Sequence, residues 1–217
     1  MTVSPQTLEL NSASVVENSD GSFTFHNGSM STANWVWNWS TLTVKQDPFI
    51  SSAFGFQNIS GSTMSFVIGV TMPVAPLGPS TVMGGSMGGS VTDANFNGLG
   101  GVSTVGAAAI YTGTIDGVGV VPIAELHPAP FSTAPFAFPG DTVSIPPVSF
   151  GLPGPSAPGP PAFASIGLTN VFSLSSMDSV SMTNFFIVEA VPEPSTMVLA
   201  AFGIVALAWY SVRRRFA

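Results

Sequence analysis

The sequence has no cysteine and almost no positive charge, with four Lys and Arg residues among 217. Lack of cysteine excludes disulfides, thiolate metal sites and a cysteine nucleophile. It does not fix the compartment. Charged residues of both signs make up only 7%. Solvated helix faces need charge, and the 23 Gly and 19 Pro break helices, so an α-helical body is not expected. Up to Ala190 there is one lysine against ten carboxylates, a net charge of −9. Such a surface cannot neutralise phosphates, which excludes nucleic-acid binding. Met1 to Leu10 has no basic residue and no apolar run, so it does not read as an export signal. The expectation is that the native start lies upstream of Met1.

Apolar residues are plentiful at 45%, enough for a core. They alternate with polar ones between Gly, Pro, Asn and Asp, which is the pattern of short half-buried strands. Trp35, Trp37 and Trp39 share one phase, whereas Leu42 and Val44 take the other, so a bulge or strand break falls near Ser40. Ile50, Phe54 and Phe56, a turn at 58–61, and Met64 to Met72 read as a hairpin. Ile166 to Leu174 and Val180 to Val188 read as a second, around a turn at 175–179. Strands are also expected over 118–126 and 131–138. The Pro/Gly-rich stretch 146–161 reads as a long surface loop. About ten short strands without intervening helices predict an all-β fold, an antiparallel β-sandwich or jelly-roll-like body over residues 1–190.

Residues 191–217 differ from the body. Val191-Pro192-Glu193-Pro194-Ser195-Thr196 precedes sixteen uncharged residues, Met197 to Val212, and then Arg213-Arg214-Arg215. Sixteen helical residues span about 24 Å, short of a bilayer core of about 30 Å. Ser195, Thr196 and snorkelling arginines extend the reach, so a single hydrophobic transmembrane helix is expected over 196–212. The arginines predict a cytoplasmic C-terminus, with the body across the membrane.

In its three parts and their order, this tail resembles the PEP-CTERM sorting signal of bacterial exported proteins. The resemblance implies Val191, Pro192, Glu193 and Pro194 as the sorting motif. It implies a membrane-held precursor, processing by an exosortase (a transpeptidase-like membrane enzyme), and delivery to the cell envelope or outside. The temporary apolar tail follows the logic of a lipid-anchor signal. In the body, Asp47-Pro48-Phe49-Ile50 and Val91-Thr92-Asp93-Ala94-Asn95 resemble an uncharacterised group of β-domains that carry this tail.

Chemistry in the body is sparse. Gly84-Gly85-Ser86-Met87-Gly88 fits G-x-S-x-G, but no helix pattern follows it, and His26 and His127 are the only bases available. No catalytic residue is assigned. Asp93, Asn95, Asn97 and Gly98 match the first half of a calcium loop, with Thr104 where a bidentate Glu would stand. That makes calcium a weak possibility beside a plain turn, and no other cofactor or metal is expected. Trp35, Trp37 and Trp39 share a strand face that would stack on sugar rings if exposed and form core if buried. The expected function is therefore a non-enzymatic envelope or extracellular-matrix protein, whose partners are the exosortase, the bacterial membrane and extracellular polysaccharide. The alternative is a carbohydrate-binding module that uses the tryptophan strand.

Overall fold

The structure is a computed structural model that describes residues 15–45, 48–191 and 202–204. Fourteen strands occur among them. They are β1 Val15–Glu17, β2 Phe23–Ser31, β3 Trp35–Lys45, β4 Phe49–Asn58, β5 Met64–Pro73, β6 Thr81–Thr92 and β7 Val102–Ser103. There follow β8 Tyr111–Ile115, β9 Val118–Gly119, β10 Glu125–Leu126, β11 Thr142–Phe150, β12 Ala157–Gly159, β13 Ser165–Leu174 and β14 Ser179–Ala190. The larger sheet has the order β1-β2-β3-β4-β14-β6-β11, with β12 beside β6. The smaller has the order β10-β8-β13-β5, with β7 on β13 and β9 on β8. The fold is all-β, with antiparallel sheets.

Alternation sets which side chains face inward. On β4, every second residue from Ile50 to Asn58 is buried, and on β14 every second residue from Val180 to Val188. These meet Ile166, Leu168, Phe172 and Leu174 of β13. Phe56 of β4 lies 4.2 Å from Phe66 of β5 and 6.0 Å from Phe172, ring centre to ring centre, so three aromatics tie the sheets together. β3 runs unbroken through the phase slip. Its pairing with β4 shifts between Trp39 and Thr41, and the bulge keeps Trp39 and Leu42 on the core side.

The two expected hairpins are corrected. β4 and β5 lie in different sheets, and so do β13 and β14. The turns at 59–63 and 175–178 are arches that carry the chain from one layer to the other. A hairpin and an arch impose the same side-chain period, so alternation cannot separate them. Asn58 is what joins the arches. Its Nδ2 donates to the carbonyls of Ser62 (2.8 Å), Leu174 (3.1 Å) and Ser175 (2.9 Å), and its Oδ1 accepts from Ser60 N–H at 3.0 Å.

Two further expectations change. The stretch 146–161 is not one surface loop, since Pro146 and Pro147 lie within β11 and Ala157–Gly159 forms β12. Both strands lie on β6, and the β11 register shifts between Ile145 and Val148, where the prolines need no ladder N–H. Residues 131–138 form no strand beyond one bridge, Ser132 to Ser103, and within 118–126 only two-residue strands form. Residues 202–204 are helical. The rest of the expected helix over 196–212 lies outside the described residues. Among the described residues, no helix is long and apolar enough to cross a membrane.

Candidate functional site

β14 organises both ends of the molecule. It lies between β4 and β6 and runs from the arch at 175–178 to Ala190, which pairs with Thr81. Twelve extended residues span about 40 Å. At the far end, Val191 donates its N–H to the Ser80 carbonyl at 3.1 Å, and there the described body stops. Pro192, Glu193, Pro194 and Arg213, Arg214 and Arg215 lie outside the described residues.

Trp35, Trp37 and Trp39 lie opposite Asn58, Phe56 and Phe54, so they share the core-facing side of the larger sheet. All three are half-buried and pack on the core. Trp35 stacks on Phe56 at 5.4 Å, and Trp37 and Trp39 meet at 4.9 Å. The Trp37 indole N–H is buried without a partner. Gly28, across from Trp39 on β2, has a bare backbone on which the indole rests, and any Cβ there would overlap the ring. On the outer face of the same sheet, Ser29, Asn38, Gly55, Ser181 and Ser90 form one cross-strand row. Asn27, Ser29, Asn38 and Ser181 line a shallow uncharged groove there.

Ser86 sits in mid-β6, opposite Phe185 and Ser149, with strand on both sides rather than an elbow. His26 is exposed on β2. His127 is buried against Phe131, ring centres 4.2 Å apart, and its Nε2 lies 2.9 Å from the Pro146 carbonyl. That carbonyl only accepts, so Nε2 carries the proton. The structure does not bring Ser86 and the histidines together into a site.

The arch end gathers the polar chemistry. The loop after β6 begins at Asp93, which is fully buried. Its Oδ2 accepts from Gly98 N–H (2.7 Å) and Gly140 N–H (2.9 Å), and its Oδ1 from Asn97 N–H (3.2 Å). Asn95 Oδ1 accepts from the same Asn97 N–H at 3.0 Å, and Asn97 Oδ1 accepts from Leu99 N–H at 2.6 Å. Asn95 Nδ2 reaches across to the Ser176 carbonyl at 2.9 Å. Burial works against the Asp93 charge, but the N–H groups of Gly140, Gly98 and Asn97 outweigh it and hold the carboxyl below its ordinary value.

Asp178, in the second arch, closes this end. It too is fully buried. Its Oδ2 accepts from the Ser175 hydroxyl, which is also bonded to Gly101, and its Oδ1 has no partner. Gly100 passes so close, at φ +120°, that a Cβ would strike Ser175 Oγ and Asp178 Oδ2. Burial raises the Asp178 carboxyl above its ordinary value and the Asp93 charge adds to this, with the Ser175 hydroxyl and the Ala94 N–H acting against them. No local pattern in the sequence marks Asp178, which lies 85 positions after Asp93. Among the described residues, no group of three His, Asp or Glu side chains gathers to hold a metal.

No curated protein and no solved structure matches the chain. The tail does have a counterpart, and its first residue is the last residue of β14: residues 190–215 match the PEP-CTERM protein-sorting motif.

Proposed function

We propose that this protein is a non-enzymatic cargo: an exported β-sandwich, held briefly at a membrane by its tail and released to the envelope or extracellular matrix. The motif at 190–215 supports sorting by an exosortase, through a membrane-anchored precursor that is processed and exported. One observation carries the finer reading. The body's last strand ends at Ala190, where the motif begins, so removing the tail takes no strand from either sheet. The sandwich is a freight separable from its address label. Val191, Pro192, Glu193 and Pro194 are the recognition segment in this reading, and Arg213, Arg214 and Arg215 hold the C-terminus in the cytoplasm.

The test is mass spectrometry of the chain's C-terminus in hosts with and without an exosortase. The expected mature protein ends within or just after 191–194 and is found outside the inner membrane only when the enzyme is present. An intact Arg213-Arg214-Arg215 end on all exported protein would sink this reading.

Carbohydrate binding is the second reading. It is favoured by the uncharged Asn- and Ser-lined groove on the outer face of the larger sheet. A shallow face of amide and hydroxyl groups suits hydrogen bonding to a neutral sugar chain. Retention on neutral polysaccharide in affinity electrophoresis, lost in Asn38→Ala, supports it, and unretarded migration counts against it.

A further inference from the structure

We propose that the inner face of β2 and β3 is an interface at which two copies of this chain interlock, each covering the overhang of the other. The smaller sheet ends at β5, whereas the larger continues past β4 through β3, β2 and β1. β5 lies over β4, since the rings of Phe66 and Phe56 stand 4.2 Å apart. Burial shows where the cover stops. Every second residue of β4 is buried, but no residue of β3 is. Trp35, Trp37, Trp39, Leu42 and Val44 pack on the core and are still only half-buried. On β2, Phe23, Phe25 and Met30 lie opposite Val44, Leu42 and Trp37 and share their face. Phe23 is 37% exposed. The result is an apolar shelf beyond the edge of the smaller sheet.

The edge beside the shelf is open as well. Val74 donates its N–H to Ala164, on the β13 side, so by alternation Ser65, Val67, Gly69 and Thr71 turn theirs outward. β5 has ten residues with no charge and no bulge, and its one proline is the last of them. The other edges are blunted: β11 by Pro146, Pro147 and a register shift, β12 by Pro158, and β9 and β10 by their two-residue length.

Geometry selects a second copy and its orientation. Direct pairing of β5 with β5 would put both larger sheets in one layer, where the overhangs collide. A two-fold axis parallel to the strands, midway between the layers, avoids this. It turns the second copy over, so that its overhang enters the layer of the smaller sheet and its β1 comes against β5. The gap is one layer deep, about 10 Å, which is the spacing of packed sheets. Both overhangs are the same three strands, so they match in width, and one contact covers both shelves and both open edges. The shelf measures roughly 14 Å by 30 Å. Two of them face to face hide on the order of 1,000 Å², about what a specific interface needs. Charge agrees. Copies of a body with net charge −9 repel each other, and of the charged side chains on β1 to β3 only Glu17, at the corner beside Phe23, shares this face.

The test is sedimentation equilibrium of the full chain in nonionic detergent micelles, at a density that hides the detergent. A dimer is expected at about 100 μM, well above the micromolar constants at the weak end of such interfaces. Phe23→Glu sets like charges against each other across the axis. It is expected to weaken the dimer at least tenfold and to leave the melting temperature of the dilute chain unchanged. The chain has no cysteine, so single thiols report the face. Met30→Cys is expected to couple to its own counterpart through a short bismaleimide, and Ser29→Cys, on the outer face, is not. A monomer overturns the proposal, whether maleimide labels Met30→Cys, as on an open shelf, or does not, as on a shelf covered by residues 1–14. So does a dimer that Phe23→Glu leaves intact, or one that couples through Ser29→Cys in place of Met30→Cys.

Discussion

Asn170 Nδ2 donates to Asn184 Oδ1 at 3.1 Å, which joins β13 of one sheet to β14 of the other inside the core. Asn170 also reaches the Ile110 carbonyl at 3.4 Å, and Asn184 Nδ2 reaches Ser52 Oγ at 3.3 Å. A polar bridge thus crosses an otherwise apolar interior. Once one amide is lost, the other stays buried without water to replace its partner. Asn184→Leu is therefore expected to cost about 1–3 kcal/mol in urea unfolding, and Asn170→Leu/Asn184→Leu to recover part of that loss. A neutral single variant with a no better double would show that the bridge contributes nothing.

Asn58→Ala tests the joined arches. It removes donors to Ser62, Leu174 and Ser175 together, and leaves Leu174 O buried. The expected loss is about 2–4 kcal/mol, with hydrogen exchange rising first at 59–63 and 175–178. Uniform exchange across both sheets would place the role of Asn58 elsewhere.

Gly28→Ala tests the seat of Trp39. A methyl group at that position overlaps the indole, so the ring must leave the strand surface. Overpacking of this kind costs about 1–3 kcal/mol, and tryptophan emission is expected to shift to the red. Unchanged emission and stability would mean that the indole has another seat.

Asp116 gives a pH dependence. Its carboxylate accepts from the N–H groups of Ser165, Ala164 and Phe163, which hold its folded pKa below the ordinary 3.8. A depressed carboxyl stabilises above the unfolded value, and that contribution is lost as pH falls through the folded one. Asp116→Asn is therefore expected to unfold at lower urea than wild type at pH 7, with the two midpoints converging below pH 3.8. A gap that stays constant with pH would remove the charge from the explanation.

The strands were legible because apolar residues mostly face inward and polar ones outward, with Ser52, Asn170 and Asn184 as inward exceptions. The Ser40 bulge was legible for the same reason, since Trp39 and Leu42 reach one face only if an extra residue intervenes. The sheet that each strand joins was not legible. That depends on Asn58, whose amide looks like any turn Asn until Leu174 is seen beside it. Prolines misled at 146–147, where an edge strand tolerates them. The Asp93 loop was visible as a motif, but Asp178 sat in a turn with nothing to distinguish it. A contact between arches 85 residues apart leaves no spacing to read.

The place of β14 has a consequence for the order of events in folding. It is a central strand, and it is also the last in chain order among the described strands. Until residues 179–190 emerge from synthesis, β4 and β6 each present an open edge and the larger sheet exists as two halves. Long-range closure of this kind is slow, because distant segments must meet before either gains. Synthesis of residues 179–190 and closure of the larger sheet are therefore linked, and the sorting motif at 190–215 is made only as that strand is finished.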